Sequence, residues 1–222
     1  MLKIKANTVM ISAVAFAAAG IAGLIAFGRP EIKNIDSKGG NIICFGDSIT
    51  WGYGAKSGED YPSGLAKMLN QPVINAGVDG DTSVEGLKRF NTDVLKRNPL
   101  LVVIELGGND FLRKISKEKT LSNIEKMIEQ AQENGAMVAI FDVSAGPFLR
   151  DYRIALQKVA YKKGAIFIPG VLSRIIASPP LKSDFIHPNG DGYKLVASRI
   201  YRAIIPYLNK NVMIRKSAKK QK

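Results

Sequence analysis

Two side chains invite chemistry before anything else in these 222 residues: Ser48, in Phe45-Gly46-Asp47-Ser48-Ile49-Thr50, and His187, in Asp184-Phe185-Ile186-His187-Pro188-Asn189. His187 is the only imidazole, hence the only side chain whose ordinary pKa suits proton abstraction near neutrality. Asp184 precedes it by three residues, close enough within one turn to accept the Nδ1 hydrogen and fix the tautomer. Ser48 can then serve as nucleophile. Acyl transfer also needs donors for a tetrahedral oxyanion. The backbone N–H groups of Ser48 and Gly80 and the side-chain amide of Asn109 are candidates, from the blocks Gly80-Asp81-Thr82 and Gly107-Gly108-Asn109-Asp110. A glycine at 80 lets backbone approach a substrate without a Cβ in the way.

Taken singly, each block has an ordinary structural reading. Gly46-Asp47-Ser48 is a frequent turn or helix cap, and Asp47 itself reads as a loop-holding residue. Gly107 to Asp110 reads as a tight turn, and His187 before Pro188 as a surface turn. Asp79 and Asp81 lack the other carboxylates of a calcium loop, and no glycine run spells a dinucleotide or phosphate loop. With one cysteine, Cys44, and one histidine, neither a disulfide nor a Cys/His metal cluster can be assembled. No metal or organic cofactor is expected.

The elements that must position these blocks alternate. Apolar runs at Asn41–Phe45, Pro72–Asn75, Leu100–Leu106, Met137–Phe141 and Ala165–Ile168 read as strands. Helical composition or period covers Pro62–Asn70, Ser83–Arg97, Thr120–Asn134, Arg150–Lys163 and Gly192–Leu208. Five strands alternating with helices imply a parallel sheet in a three-layer α/β sandwich. Sites in open parallel sheets form at the carboxyl ends of strands, and the four polar blocks fall there or just before the last helix.

In that order and spacing the blocks resemble the SGNH (GDSL) hydrolase superfamily, over roughly Asn41 to Leu208. Within it the chain is similar to bacterial thioesterase/lysophospholipase L1-like esterases and arylesterases. The resemblance implies a flavodoxin-like α/β/α fold, Ser48 as nucleophile, His187 as base, Asp184 orienting it, and Gly80 and Asn109 in the oxyanion hole. The expectation is a serine esterase cleaving carboxylic ester or thioester bonds through an acyl-enzyme, its substrate a small ester or lysophospholipid. Trp51, Tyr53, Phe111, Leu112, Pro147, Phe148, Phe185 and Ile186 are candidates for an acyl pocket.

The remaining sequence concerns location. Thr8 to Phe27 is 20 residues without a charge, about 30 Å as a helix, the thickness of a bilayer core. Lys3 and Lys5 before it predict that the rest of the chain lies outside the cytoplasm. A signal anchor or signal peptide over residues 1–28 is therefore expected, the anchor fitting better because signal-peptide cores run only ~7–15 residues. Residues 29–40 read as a linker, 41–208 as the hydrolase domain and 209–222 as a basic tail suited to anionic lipid. The amino-terminal lysines and this tail hold more than half of the net charge of +13, which weakens a nucleic-acid reading. The competing expectation is a membrane-tethered, non-catalytic binding module on a degenerate hydrolase fold.

Overall fold

β-Branched and apolar runs covered on both faces make the centre of the molecule. In the computed structural model, which describes residues 31–144 and 149–220, strands β1 (Asn41–Gly46), β2 (Val73–Gly77), β3 (Pro99–Glu105), β4 (Met137–Phe141) and β5 (Ile166–Ile168) form one sheet in the order β2-β1-β3-β4-β5. All pairings are parallel. Every residue of β3 and β4 is buried, as central strands packed between helical layers must be. The strand order is the flavodoxin-like one, and its switch point, between β1 and β3, is where a ligand crevice opens.

The helices are α1 (Ser48–Trp51), α2 (Tyr61–Leu69), α3 (Ser83–Asp93), α4 (Gly108–Leu112), α5 (Lys117–Glu133), α6 (Arg150–Lys162) and α7 (Gly190–Lys220). Sequence period alone does not show α1 or α4, each too short to display a face. The helix expected through Arg97 ends at Asp93, where Val94 leaves helical geometry, and resumes as a 3-10 turn over Leu95–Arg97 that Asn98 closes in a left-handed conformation before Pro99. Helix α5 begins three residues earlier than expected, where Ser116 caps it by accepting the Lys119 N–H.

Two boundary expectations are corrected. Residues 32–40 do not form a free linker: Ile32, Ser37 and Gly39 are buried, and the segment runs as a strap under the amino ends of the strands. Lys33 N–H donates to the Gly164 carbonyl, the Asn34 amide to those of Gln132 and Ala136, and Gly40 N–H to that of Asn98. Residues 209–220 are not a loose tail either, since α7 continues through them. Asn211 is buried there and donates to the carbonyls of Ile35 and Ser37, which gives the helix a partner beyond Leu208. The expected membrane span, Thr8–Phe27, lies outside the described residues. Among the described residues no helix is long and apolar enough to cross a membrane.

The sheet and the first site loop meet at Gly46. A Cβ there would fall on Thr50 Oγ1 and on the carbonyl oxygen and carboxylate of Glu105. Gly46→Ala is therefore expected to cost about 1–3 kcal/mol or more. A lowered urea midpoint with unchanged slope checks this; an unchanged midpoint refutes the close packing.

Candidate active site

A nucleophile is best presented where a buried strand turns sharply into a helix. Ser48 is the first residue of α1, immediately after β1, and the Asp47 carboxylate caps that helix by accepting the Ile49 N–H at 3.0 Å. Gly77 allows β2 to press against α1, since a Cβ there would strike the backbone of Thr50 and Trp51. His187 comes from the far end of the domain, in the loop before α7. Its Nε2 lies 2.9 Å from Ser48 Oγ. Its Nδ1 lies 2.7 Å from Asp184 Oδ2. Asp184 can only accept from Nδ1–H, so Nε2 carries the lone pair and Ser48 donates to it.

Asp184 is itself fixed, because its Oδ1 accepts the backbone N–H groups of Ile186 and His187, each at 2.9 Å. Partial burial raises the carboxyl's pKa, yet these backbone bonds and the imidazole outweigh it and hold the group below the usual carboxylate range. Asp184 therefore remains an anion across the pH range in which an imidazole titrates. The Tyr53 ring packs on His187 with centroids 4.4 Å apart, restricting the imidazole's rotation.

Three loops converge on the nucleophile. Asn109, in α4 after β3, donates one amide hydrogen to Asp47 Oδ2 at 3.1 Å and the other to the Asp81 carbonyl at 2.9 Å. It thus links the residue before Ser48 to the residue after Gly80. Gly80 has φ +78°, and its carbonyl accepts from Arg113. The N–H groups of Ser48 and Gly80 donate to no other described residue. All five site residues named from the sequence, Ser48, Gly80, Asn109, Asp184 and His187, therefore sit on one set of neighbouring loops, at the β1/β3 switch point and its flanks.

Sequence reasoning missed the residues beneath. Arg89 of α3 donates from Nε to Asp81 at 2.5 Å and from Nη1 to the Ala76 carbonyl at 2.8 Å. Its Nη2 reaches the Gly46 carbonyl at 2.9 Å, and its plane stacks on Phe45. One guanidinium so ties the ends of β1 and β2 to the Gly80–Asp81 loop. Asp110, fully buried, accepts from Ser83 at the start of α3 and from Thr120 of α5, which makes it a structural anchor beside Asn109.

Glu105, at the end of β3, is also buried and unflagged by any motif. Its Oε2 accepts the Asp47 N–H at 3.1 Å and the Thr50 hydroxyl at 2.9 Å. Burial, then the neighbouring Asp47 charge, push its pKa well above the usual carboxylate range, which favours its neutral form. Burial likewise lifts Asp47 to about 6, partly offset by its hydrogen bonds to Ile49 and Glu105. One proton on Glu105 lets Asp47 remain charged beside Ser48. Cys44, deep in β1, has a thiol that burial pushes up, so it offers no competing nucleophile.

A cavity of about 250 Å³ opens against Ser48 and His187. Of the aromatic and apolar candidates named from sequence, Phe111, Leu112 and Ile186 line it, joined by Ile49, Val143, Leu149, Leu172 and Ile176. Trp51 and Phe185 are exposed residues outside that lining, and Tyr53 packs on the imidazole instead. Pro147 and Phe148 lie outside the described residues. The aliphatic wall escaped detection because Leu172 and Ile176 sit in a segment without helical or strand period.

With this geometry in place, the comparisons decide the lineage: a family model described as GDSL-like lipase/acylhydrolase matches residues 44–195. The chain belongs to that family. It is a serine hydrolase, and its relatives place it among esterases and acylhydrolases. It is 28% identical over 178 residues to an arylesterase of Vibrio mimicus, covering 75% of this chain and 89% of that one. It is 26% identical to the thioesterase 1/protease 1/lysophospholipase L1 of Escherichia coli (strain K12), covering 76% of this chain and 85% of that one. The crystal structure of TesA matches with a TM-score of 0.72 at 26% identity, over 76% of this chain and 99% of that one.

The Glu105 proton has a consequence for stability. Its folded pKa is raised, so the folded state keeps a proton that the unfolded chain releases above about pH 4.5. Its stabilising effect is complete below that value and declines with rising pH, by about 1.4 kcal/mol per pH unit, until the folded pKa is reached. Asp47 adds a decline of the same sign between its ordinary value and about 6. Glu105→Gln is expected to remove the larger part, flattening the decline that remains above about pH 6, where Asp47 no longer contributes. Parallel wild-type and variant curves in pH-dependent urea denaturation would overturn this.

Proposed function

We propose that the protein hydrolyses carboxylic ester or thioester bonds through an acyl-enzyme on Ser48, working on the outer side of the cytoplasmic membrane. The observation that carries the chemical part is the unbroken relay from Ser48 Oγ to His187 Nε2 and from Nδ1 to Asp184, at 2.9 and 2.7 Å. His187 takes the hydroxyl proton as Ser48 Oγ bonds to the acyl carbon. The carbonyl electrons move to oxygen, which develops negative charge near the N–H groups of Ser48 and Gly80 and the Asn109 amide. In this reading the charged oxygen takes over the Asn109 hydrogen that rests on Asp47. The imidazolium, held by Asp184, returns the proton to the leaving group. Water, deprotonated by the same imidazole, then releases the acid.

The pocket supports a single acyl or aryl group as the recognised part of the substrate. Its walls are aliphatic, and at about 250 Å³ it lies at or below the lower end of small-molecule sites. Small esters, thioesters and single-chain lysophospholipids fit that description. The Escherichia coli relative is a thioesterase 1/protease 1/lysophospholipase L1 and the Vibrio relative an arylesterase, which supports substrates of this kind. Location rests on Thr8–Phe27 alone. A non-catalytic module gains nothing from a relay this complete, and no feature of the site favours that reading.

Turnover of short-chain p-nitrophenyl esters tests the chemistry. Ser48→Ala and His187→Ala should each abolish it while the fold, read by far-ultraviolet circular dichroism, is kept. Asn109→Ala should cost about 2–4 kcal/mol in kcat/KM, as loss of one oxyanion donor does. Undiminished turnover in the folded Ser48 variant would sink the mechanism.

A further inference from the structure

We infer that the edge of the domain opposite the active site docks on an anionic phospholipid bilayer, which turns the pocket mouth toward the aqueous side. A parallel sheet has two chemically distinct edges. At its carboxyl edge lie Ser48, Gly80, Asn109 and, just before α7, His187. The strap of residues 32–40 crosses the amino edge, bonded beneath β5, β4 and β3. The seven residues of β3 set these edges about 23 Å apart at ~3.3 Å per residue.

Helix α7 connects the two edges. It starts beside the site at Gly190 and reaches the strap, where Asn211 donates to Ile35 and Ser37 and Arg215 to Gly39. Beyond Asn211 it continues to Lys220, about 14 Å further. No residue there is buried, and Val212 and Met213 are exposed apolar side chains. Arg215, Lys216, Lys219 and Lys220 fill this extension without one acidic residue. Lys96 and Arg97, exposed just before β3, add positive charge to the same edge, as do Lys33 and Lys38 on the strap. The exposed acids there, Glu31, Asp36 and Glu133, are outnumbered. Basic residues interleaved with apolar ones suit the headgroup region of an anionic bilayer.

Chain connectivity selects the same partner. Four residues, Gly28 to Glu31, separate the uncharged run ending at Phe27 from Ile32 on the strap. Fully extended, that stretch spans no more than about 18 Å. A bilayer entered by the run therefore lies within reach of the basic edge. The mouth has an apolar rim of its own, Trp51, Leu112, Phe185 and Ile186, but Leu112 and Ile186 also line the pocket and so serve the acyl group. The consequence for substrate, which rests on the acyl-hydrolase reading, is that esters arrive from water or from a polymer outside the bilayer. Lipids resident in the docking membrane are excluded by distance.

Two reporters test the orientation in the full-length protein. Trp51 is the only tryptophan and is 59% exposed at the site edge. Ser217→Cys, labelled with an environment-sensitive fluorophore, reports on the end of α7; the native thiol, Cys44, is buried and stays unlabelled. The protein is reconstituted with phosphatidylglycerol/phosphatidylcholine vesicles carrying brominated acyl chains. The label at 217 should be quenched at least about twofold, and less so when Lys216, Lys219 and Lys220 are changed to Glu. Trp51 should keep its emission and its access to aqueous iodide. Quenching of Trp51 by the brominated lipid, an unquenched label, or protein left in the supernatant would each overturn the proposal. Ester turnover is measured separately, so an inactive but correctly oriented protein would refute the hydrolase reading and leave the docking intact.

Discussion

The 2.9 Å contact between Ser48 Oγ and His187 Nε2 joins residues 139 positions apart, and the rest of the domain can be understood as what keeps it closed. One partner is delivered by the first strand and the other by the loop entering the last helix. A side-chain hydrogen bond contributes only about 1 kcal/mol net, far too little to hold two chain segments together by itself. The work is done by the buried sheet and by α7, whose Tyr193, Val196, Ile200 and Ile204 are sealed in the core. Tyr193 reaches back from α7 to donate to the Tyr53 carbonyl at 2.9 Å, clasping the segment that follows the nucleophile. The catalytic geometry is thus a by-product of hydrophobic burial, refined locally by hydrogen bonds.

Electrostatics around that contact run against burial. Asp47 and Glu105 sit side by side in an interior where two anions would repel strongly, and the fold resolves this by leaving a proton on one of them. Which one is decided by geometry. Asp47 receives a backbone N–H from Ile49 and the amide of Asn109, both of which favour its anion. Glu105 is the more deeply enclosed, and its pKa is raised further, which favours its neutral form. Asp47 can then hold Asn109 in register with Ser48, so the acid at the end of β3 bears indirectly on where the Asn109 amide sits.

The strands, their alternation with helices and the four polar blocks were all readable, because buried parallel strands are nearly unbroken apolar runs and a turn at a strand end has few permissible residues. Ser48, Asp184 and His187 could be singled out because the chain has only one histidine. What could not be read depends on contacts without local signature. Arg89 looks like any solvent-facing arginine on an amphipathic helix until the ends of β1 and β2 are brought beside it. Glu105 looks like the polar end of a strand, and only the packing above it reveals a buried acid. Leu172 and Ile176 belong to a turn-rich segment whose role as pocket wall depends on α4 lying opposite. The strap reads as a linker in the sequence because its glycines and polar residues have the composition of coil. Its order comes from carbonyls at the amino ends of three strands, which no local pattern anticipates.

The polarity of the sheet explains why chemistry and attachment need not compete for the same surface. Parallel strands send all their following loops to one edge, so sites accumulate there; the opposite edge receives the preceding turns and, in this chain, the strap and the far end of α7. An insertion or a run of lysines at the amino edge leaves the Ser48–His187 contact untouched, since neither residue draws on that edge for a hydrogen bond. The same separation is visible along α7: its first turns follow the loop of His187, and its last turns extend past the strap. Between those two ends the helix is held in the core by a buried face from Tyr193 to Leu208, and beyond it by the Asn211 bonds to the strap.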